Sequence, residues 1–296
     1  MEVVPYHDNL LPQLTQLVND HIQLVPPGWT LTPRQVAYVL GKPNAAWTAH
    51  YPEDKEIFAS HTVCMLENQQ MVAVANWFFP KPLENQAAGG VLSWLFSRPG
   101  HSDSLEALVG AFIGQSAARG CASVYFCPRF GFGVGWFGIP DVWPHIIKVI
   151  QESGFEVDGK WVIMTGPAQA GEKNQPALDF DFVWQIDEPR LEWELEAKTG
   201  NVVAGECQAW GIPAHFRGCP GYEEWITIEW LGVEVPYQRK GLGTRLMREQ
   251  MQFQAQRGVK NVIVWTETNN TAARKLNKSF GFTEGPECWV FQMAFK

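Results

Sequence analysis

One stretch limits the fold of this chain more than any other. Residues 225–235 (WITIEWLGVEV) are mostly β-branched and aromatic, which predicts a buried strand. Pro236 ends that run, and Gly241 and Gly243 in Gln238-Arg239-Lys240-Gly241-Leu242-Gly243-Thr244 free the backbone for a tight turn. The periodicity then predicts a helix, with Leu242, Leu246 and Phe253 in one stripe and Met247 and Met251 beside it. Arg257-Gly258 stops the helix, and Val262-Ile263-Val264-Trp265 is the next strand. A glycine turn feeding a helix N-terminus suits an anion. Backbone N–H groups lack partners there, the helix dipole favours negative charge, and a Cβ would hold a phosphate off the backbone. Arg239 and Lys240 add cations at the rim.

Gln238-Arg239-Lys240-Gly241-Leu242-Gly243 resembles the Q/R-x-x-G-x-G/A signature of the GNAT N-acetyltransferase superfamily. The preceding strand with Pro236-Tyr237 is similar to that family too. So is Asn270-Thr271-Ala272-Ala273-Arg274-Lys275-Leu276-Asn277-Lys278-Ser279-Phe280-Gly281-Phe282, against the pattern N-x-x-A-x-x-L-Y-x-x-x-G-F. The resemblance implies an acetyl-coenzyme A site. In it the 238–244 turn holds the pyrophosphate, and backbone N–H groups near Leu231, Val233 and Val235 hold the pantetheine and thioester. By the same resemblance Asn270 and Ala273 border the cofactor. The chain departs from the family at Asn277, where a Tyr often protonates the leaving thiolate. A carboxamide is a poor proton donor.

The remaining elements follow the order of that fold. A short strand at Val3–Tyr6 precedes a helix over 9–24 and another from Thr32-Pro33 to about Leu40. Thr62–Leu66 and Met71–Phe79 read as a strand pair, and Ala88–Phe96 as a further strand. Ser102-Asp103-Ser104 reads as the cap of a helix running to Arg119-Gly120. A strand at Ala122–Cys127, a helix over 141–153 and a strand at Trp161–Thr165 complete the first half. Arg119-Gly120 and Arg257-Gly258 both end the long helix, and counted back from them Trp94-Leu95 to Leu108 runs in step with Gly232-Val233 to Leu246. Val72-Ala73 resembles Val203-Ala204, and Gly154-Phe155 matches Gly281-Phe282. We read two tandem copies of one mixed α/β fold, each a mostly antiparallel mixed sheet flanked by helices. Residues 1–166 form a degenerate copy, the breaker-rich segment 167–176 is a linker, and 177–296 form the cofactor-binding copy. In the first copy Gly100-His101-Ser102-Asp103-Ser104-Leu105 stands where the motif should be. Both motif glycines are gone and Asp103 would face a pyrophosphate. The second copy begins with strands near Phe180–Ile186, Leu191–Leu195 and Val202–Trp210. It has only Asp187-Glu188-Pro189-Arg190 where the family places two helices that wall the acceptor site.

Composition excludes several function classes. The 296 residues are 46% hydrophobic and 18% charged, as expected of an ordered globular chain. A net charge of −8 without a Lys/Arg run argues against nucleic acid or an acidic membrane as partner, and permits a cationic acceptor. No apolar run reaches spanning length and Met1-Glu2-Val3-Val4 starts no secretion signal. The six Cys have neither CxxC nor zinc spacing, so reduced thiols in a cytoplasmic protein without a metal are expected. The oligomeric state, monomer or homodimer, stays open.

Acyl transfer to an amine needs a base for the departing proton. Glu229 lies on the strand before the turn, two residues from where histone-type GNAT members carry theirs. Simple alternation puts it on the face of Leu231 and Val233, where a carboxylate among apolar neighbours has a raised pKa. The alternative is a structural carboxylate paired with a cation. Glu234 and His215 are rival bases. The expected function is acetyl transfer from acetyl-coenzyme A to a small-molecule amine, with a non-catalytic acyl-coenzyme A sensor as the alternative. The loop from Cys127 to Pro140, with glycines between Phe130, Phe132, Trp136 and Phe137, is expected to act either as a lid over Glu229 or as a plug in the first copy's own groove.

Overall fold

The computed structural model describes residues 1–41, 57–80, 89–126, 132, 137–169 and 179–295. In chain order the first half holds β1 (Glu2–Pro5), α1 (Leu11–Ile22), α2 (Pro33–Gly41), β2 (Ile57–Glu67), β3 (Gln70–Pro80) and β4 (Gly89–Ser97). There follow α3 (Ser102–Ala118), β5 (Ser123–Phe126), β6 (Ile139–Pro140), α4 (Pro144–Glu152) and β7 (Glu156–Pro167). The second half holds β8 (Asp181–Asp187), β9 (Glu192–Thr199), β10 (Val202–Gly211), β11 (Trp225–Val233), α5 (Leu242–Gln256), β12 (Asn261–Glu267), α6 (Thr271–Ser279) and β13 (Thr283–Ala294). The chain divides into two units, Met1–Trp161 with Pro286–Lys296, and Val162–Gly285. The first unit therefore takes its last strand from the C-terminal end of the chain, and the second takes the final part of β7. Residues 170–176 of the expected linker lie outside the described residues.

In the first unit β1, β2, β3 and β4 are antiparallel neighbours. β5 runs parallel to β4, and β13 pairs antiparallel with β5 from Phe291↔Phe126 to Ala294↔Ser123. Local sequence explains the turns and caps. Asn68 (φ 49°) and Gln69 (φ 65°) form the left-handed two-residue turn that matches the twist of β2 and β3. Thr32 and Gln35 bond reciprocally, Thr32 N to Gln35 Oε1 at 2.7 Å and Gln35 N to Thr32 Oγ1 at 3.4 Å, a capping box at the start of α2. The expected cap of α3 differs. Its N-cap is His101, with no side-chain capping bond, and Ser102 is already helical. Ser104, expected in the cap, is buried with its hydroxyl 3.1 Å from Met1 Sδ. Nearly every residue of β3 is buried, because α1 and α3 both pack on it. Phe132 packs its ring against Trp94 at 5.1 Å and Phe96 at 5.7 Å, and Phe137 meets Trp161 at 5.1 Å. Both described rings of the glycine-rich loop thus fill their own unit. Phe130 and Trp136 lie outside the described residues.

In the second unit the order is β7, β12, β11, β10, β9, β8. β8 to β11 are antiparallel and β11 runs parallel to β12. α5 packs across β9, β10 and β11. Its Leu242, Leu246, Met247 and Met251 enter a core with Leu195, Ala197, Cys207, Ala209, Ile226 and Ile228. Phe253 stacks on Trp184 at 4.2 Å. The other face of these strands alternates into polar residues. Among the described residues no helix is long and apolar enough to cross a membrane, and no His, Cys, Asp and Glu group is arranged to hold a metal ion. Five cysteines (64, 121, 207, 219 and 288) are free and buried.

Candidate functional site

Every candidate residue lies in the second unit, and the geometry starts from β11. Its parallel pairing with β12 runs from Trp225↔Asn261 to Ile228↔Val264 and ends there, although both strands continue. The β12-side backbone of residues 229–233 is thus released from the parallel ladder. On its other side β11 pairs with β10 throughout, but the register slips. Gln208 faces Trp230, while Ala209 faces Ile228. Glu229 is the extra residue of a β-bulge, the device that re-aims a side chain and bends a strand.

The bulge overturns simple alternation. Ile226 and Ile228 enter the core under α5, and so do Leu231 and Val233 beyond it. Glu229 takes the opposite face, with Thr227, whose hydroxyl donates to Glu229 Oε1 at 3.0 Å. Glu229 therefore does not share a face with Leu231 and Val233. A period-two count cannot see one inserted residue. Glu234 is exposed, with its N–H on Ala204 O at 2.9 Å. His215 sits in a short turn, its ring 4.4 Å from that of Phe216.

Past β11 the chain makes a helical turn, Val235–Tyr237, with Val235 78% exposed. Gln238 Nε2 donates back to Val233 O at 2.9 Å and closes the loop. Arg239 holds a left-handed φ of 60°, uncommon for a residue with a side chain, and its side chain and that of Lys240 are exposed. Gly241 is the N-cap of α5 at φ 86° and supplies no side-chain cap, so the N–H groups of Leu242, Gly243 and Thr244 start the helix without an intrahelical acceptor. A Cβ built on Gly241 would meet nothing within 4 Å, and one on Gly243 would touch Val233 Cγ2 at 3.5 Å. Gly241 therefore leaves open backbone at the turn, whereas the Cβ position of Gly243 faces Val233 and Leu276.

The α6 residues divide differently. Asn270 Oδ1 caps α6 by accepting from Ala273 N at 3.1 Å, so these two candidate residues bond to each other. Arg274 ties the same turn down, through Thr268 O at 2.6 Å and Glu284 Oε1 at 2.7 Å. Asn277 is 3% exposed, with its amide nitrogen 3.7 Å from Met164 Sδ. It is buried against a thioether, which carries no proton.

One residue of the open face escaped sequence reasoning. Glu206 on β10 is the cross-strand partner of Gly232. Burial raises its carboxyl above the usual range, and so does neighbouring Glu194, while a hydrogen bond from Trp230 lowers it. In sequence it is one of many carboxylates on a half-exposed strand. Only the register places it beside residues 230–232.

Comparison with known proteins agrees with this geometry. Residues 161–282 match the acetyltransferase (GNAT) family. Across the chain the fold is similar to a tandem GNAT protein from the clavulanic acid biosynthesis pathway, with a TM-score of 0.63 and 13% identity over 99% of this chain and 98% of that one. A GCN5-related N-acetyltransferase from Sphaerobacter thermophilus gives 0.61 and 12%, over 99% and 95%. A GCN5-related glucosamine N-acetyltransferase region of a fungal multi-domain β-N-acetylglucosaminidase gives 0.64 and 13%, over 99% of this chain and 38% of that one. At these identities the likeness is one of fold. Comparison with curated proteins gives no match.

Proposed function

Because residues 161–282 match the GNAT acetyltransferase family and the chain's fold is similar to that of a tandem GNAT protein, we propose that it moves an acetyl group from acetyl-coenzyme A to an amine of a small molecule. The observation that carries this reading is the parting of β11 from β12 after Ile228, directly before the uncapped glycine turn. The turn from Gln238 to Thr244 would take the pyrophosphate on its N–H groups, with Arg239 and Lys240 at the rim. The released backbone near Leu231 and Val233 would bond the pantetheine and polarise the thioester carbonyl as it gains charge. Glu229, aimed by the bulge at the face that α5 leaves open, would take the amine proton. The nitrogen then bonds to the acyl carbon, the C–S bond breaks, and coenzyme A leaves as the thiolate. The names of two structural relatives, one from the clavulanic acid biosynthesis pathway and one a glucosamine N-acetyltransferase region, support a small acceptor.

One observation favours a second reading, a protein that binds acyl-coenzyme A without turning it over. Asn277, at the family's usual acid position, is buried against a thioether. Thiol release on mixing the protein with acetyl-coenzyme A and a panel of amines separates the two. Release that depends on the amine supports transfer. Calorimetric binding of acetyl-coenzyme A without release supports the sensor.

A further inference from the structure

The open face of the second unit carries an arrangement that acetyl-donor binding does not use. Trp230 is 55% exposed, an unusual position for an indole. Its ring is nonetheless placed. A Cβ on Gly232 would come within 2.7 Å of Trp230 Nε1, so the indole edge lies across the glycine. Glu206, the partner of Gly232 across the ladder, lies near enough to this edge for Trp230 to lower its carboxyl. A glycine at 232 is what lets an indole on one strand lie beside a carboxylate on the next. The result is a fixed aromatic ring open to solvent, with an acid held at its edge.

The surroundings bear on what would dock there. Gln208 pairs with Trp230 on one side and Glu194 on the other, and Glu206 pairs with Glu196. Glu196 is neutralised by Lys198 at 2.7 Å, whereas Glu194 presses on Glu206 and helps raise its carboxyl. On the same row a cavity of about 370 Å³ is lined by Gln185, Asp187, Glu192, Glu194, Gln208 and Trp210, with no Lys or Arg among its described lining residues. A cation over an indole face gains from the ring quadrupole, and a charge-assisted bond to the adjacent carboxylate adds to it.

We propose that Trp230 and Glu206 together seat the ammonium group of the acyl acceptor, which makes the acceptor a cationic primary amine. This rests on the acetyl-transfer reading and sharpens it. Glu206 and Trp230 select and hold the ammonium. Glu229, on the same face and released from the ladder, takes the proton that frees the lone pair, and the second N–H proton, lost as the amide forms, passes to the departing thiolate. A specificity role predicts a change in KM for the acceptor without a matching change in kcat.

The test uses the full chain with n-butylamine, putrescine and glucosamine as probes, followed by thiol release and by calorimetric binding. Glu206→Gln and Trp230→Ala should each raise KM, or Kd, at least about tenfold for the best-bound probe, the size of a lost charged hydrogen bond. The kcat should stay within about twofold and KM for acetyl-coenzyme A should not move. Trp230→Phe, which keeps a ring but no N–H, should give the smaller rise. Glu152→Gln, in the first unit, should change nothing. Unchanged acceptor KM or Kd in Glu206→Gln overturns the proposal, as does a fall in kcat alone. If no probe is acetylated, the transfer reading fails for these amines while calorimetry still decides this one. Probe binding that Glu206→Gln weakens upholds the seat. Failure of all three probes to bind the unaltered protein refutes it.

Discussion

The two units enter their long helix in opposite ways. In the second, residues 234–241 separate β11 from α5, and the helix begins at a glycine with φ 86°. In the first, only 98–101 separate β4 from α3, the N-cap is His101 at φ −111°, and Asp103 stands in the first turn. The covering of the sheets is also opposite. β3 is buried on both faces between α1 and α3, whereas β10 turns one face to α5 and leaves the other to Glu206, Gln208 and Trp210. One unit thus has helices on its central strand and a short, His-capped entry to its long helix, and the other has a glycine turn before that helix and a polar face on β10. Together they show that the long helix can be entered with or without a glycine turn.

The comparison breaks most severely if the first unit does not need the C-terminal strand. Stopping the chain after Gly285 removes Cys288, Val290 and Phe291, all buried. The loss exceeds about 5 kcal/mol, enough to unfold an average domain, and should appear as a missing calorimetric transition. A first unit that still melts cooperatively would contradict the division of strands. The next effect is on the turn. Gly241→Asp adds like charge at a site with room for the side chain, in a conformation that Asp tolerates better than most residues. Coenzyme A affinity should fall more than about 100-fold, with little change in melting temperature. Asp103→Asn in the first unit should leave affinity unchanged, and equal effects would erase the distinction between the units. Glu229→Gln should lower kcat by about 10²–10⁴-fold with coenzyme A affinity intact. A wild-type rate from pH 6 to 9 would leave the bulge carboxylate a structural one.

The smallest effect is one of pH. Among the described residues His21 in the first unit is the buried histidine, 4% exposed, with Nδ1 donating to Leu17 O at 2.8 Å. Its ring packs between Phe96 and Trp143, each 5.2 Å away. Burial holds its pKa below the ordinary value, and nearby His145 acts in the same direction, against the bond to Leu17 O, which raises it. A lowered folded pKa gives stability that is complete above the unfolded value of about 6.5 and is lost as pH falls below it. The first unit should therefore melt earlier from pH 6.5 downward, and His21→Gln should flatten that slope. A slope that survives the substitution would assign the titration elsewhere.

Some of this was legible without coordinates. The strand, glycine turn and helix of 225–256 follow from β-branched content, a proline stop, two glycines and a helical stripe, all fixed by neighbours within a few residues. The same locality explains why the helix stops at Gly258, which holds φ 91°. What no local pattern decides is how strands count against each other. One inserted residue turned Glu229 to the open face. One cross-strand pairing set Glu206 opposite Gly232 and beside Trp230. One long-range pairing gave residues 286–294 to the first unit. Side chains alternate every second residue, so a single slip reverses a face, and the free energy that selects the register comes from packing partners far away in the chain. The sequence by itself determined that a helix would begin at an open glycine turn. Which carboxylates look out over that site was decided only when the strands were laid side by side.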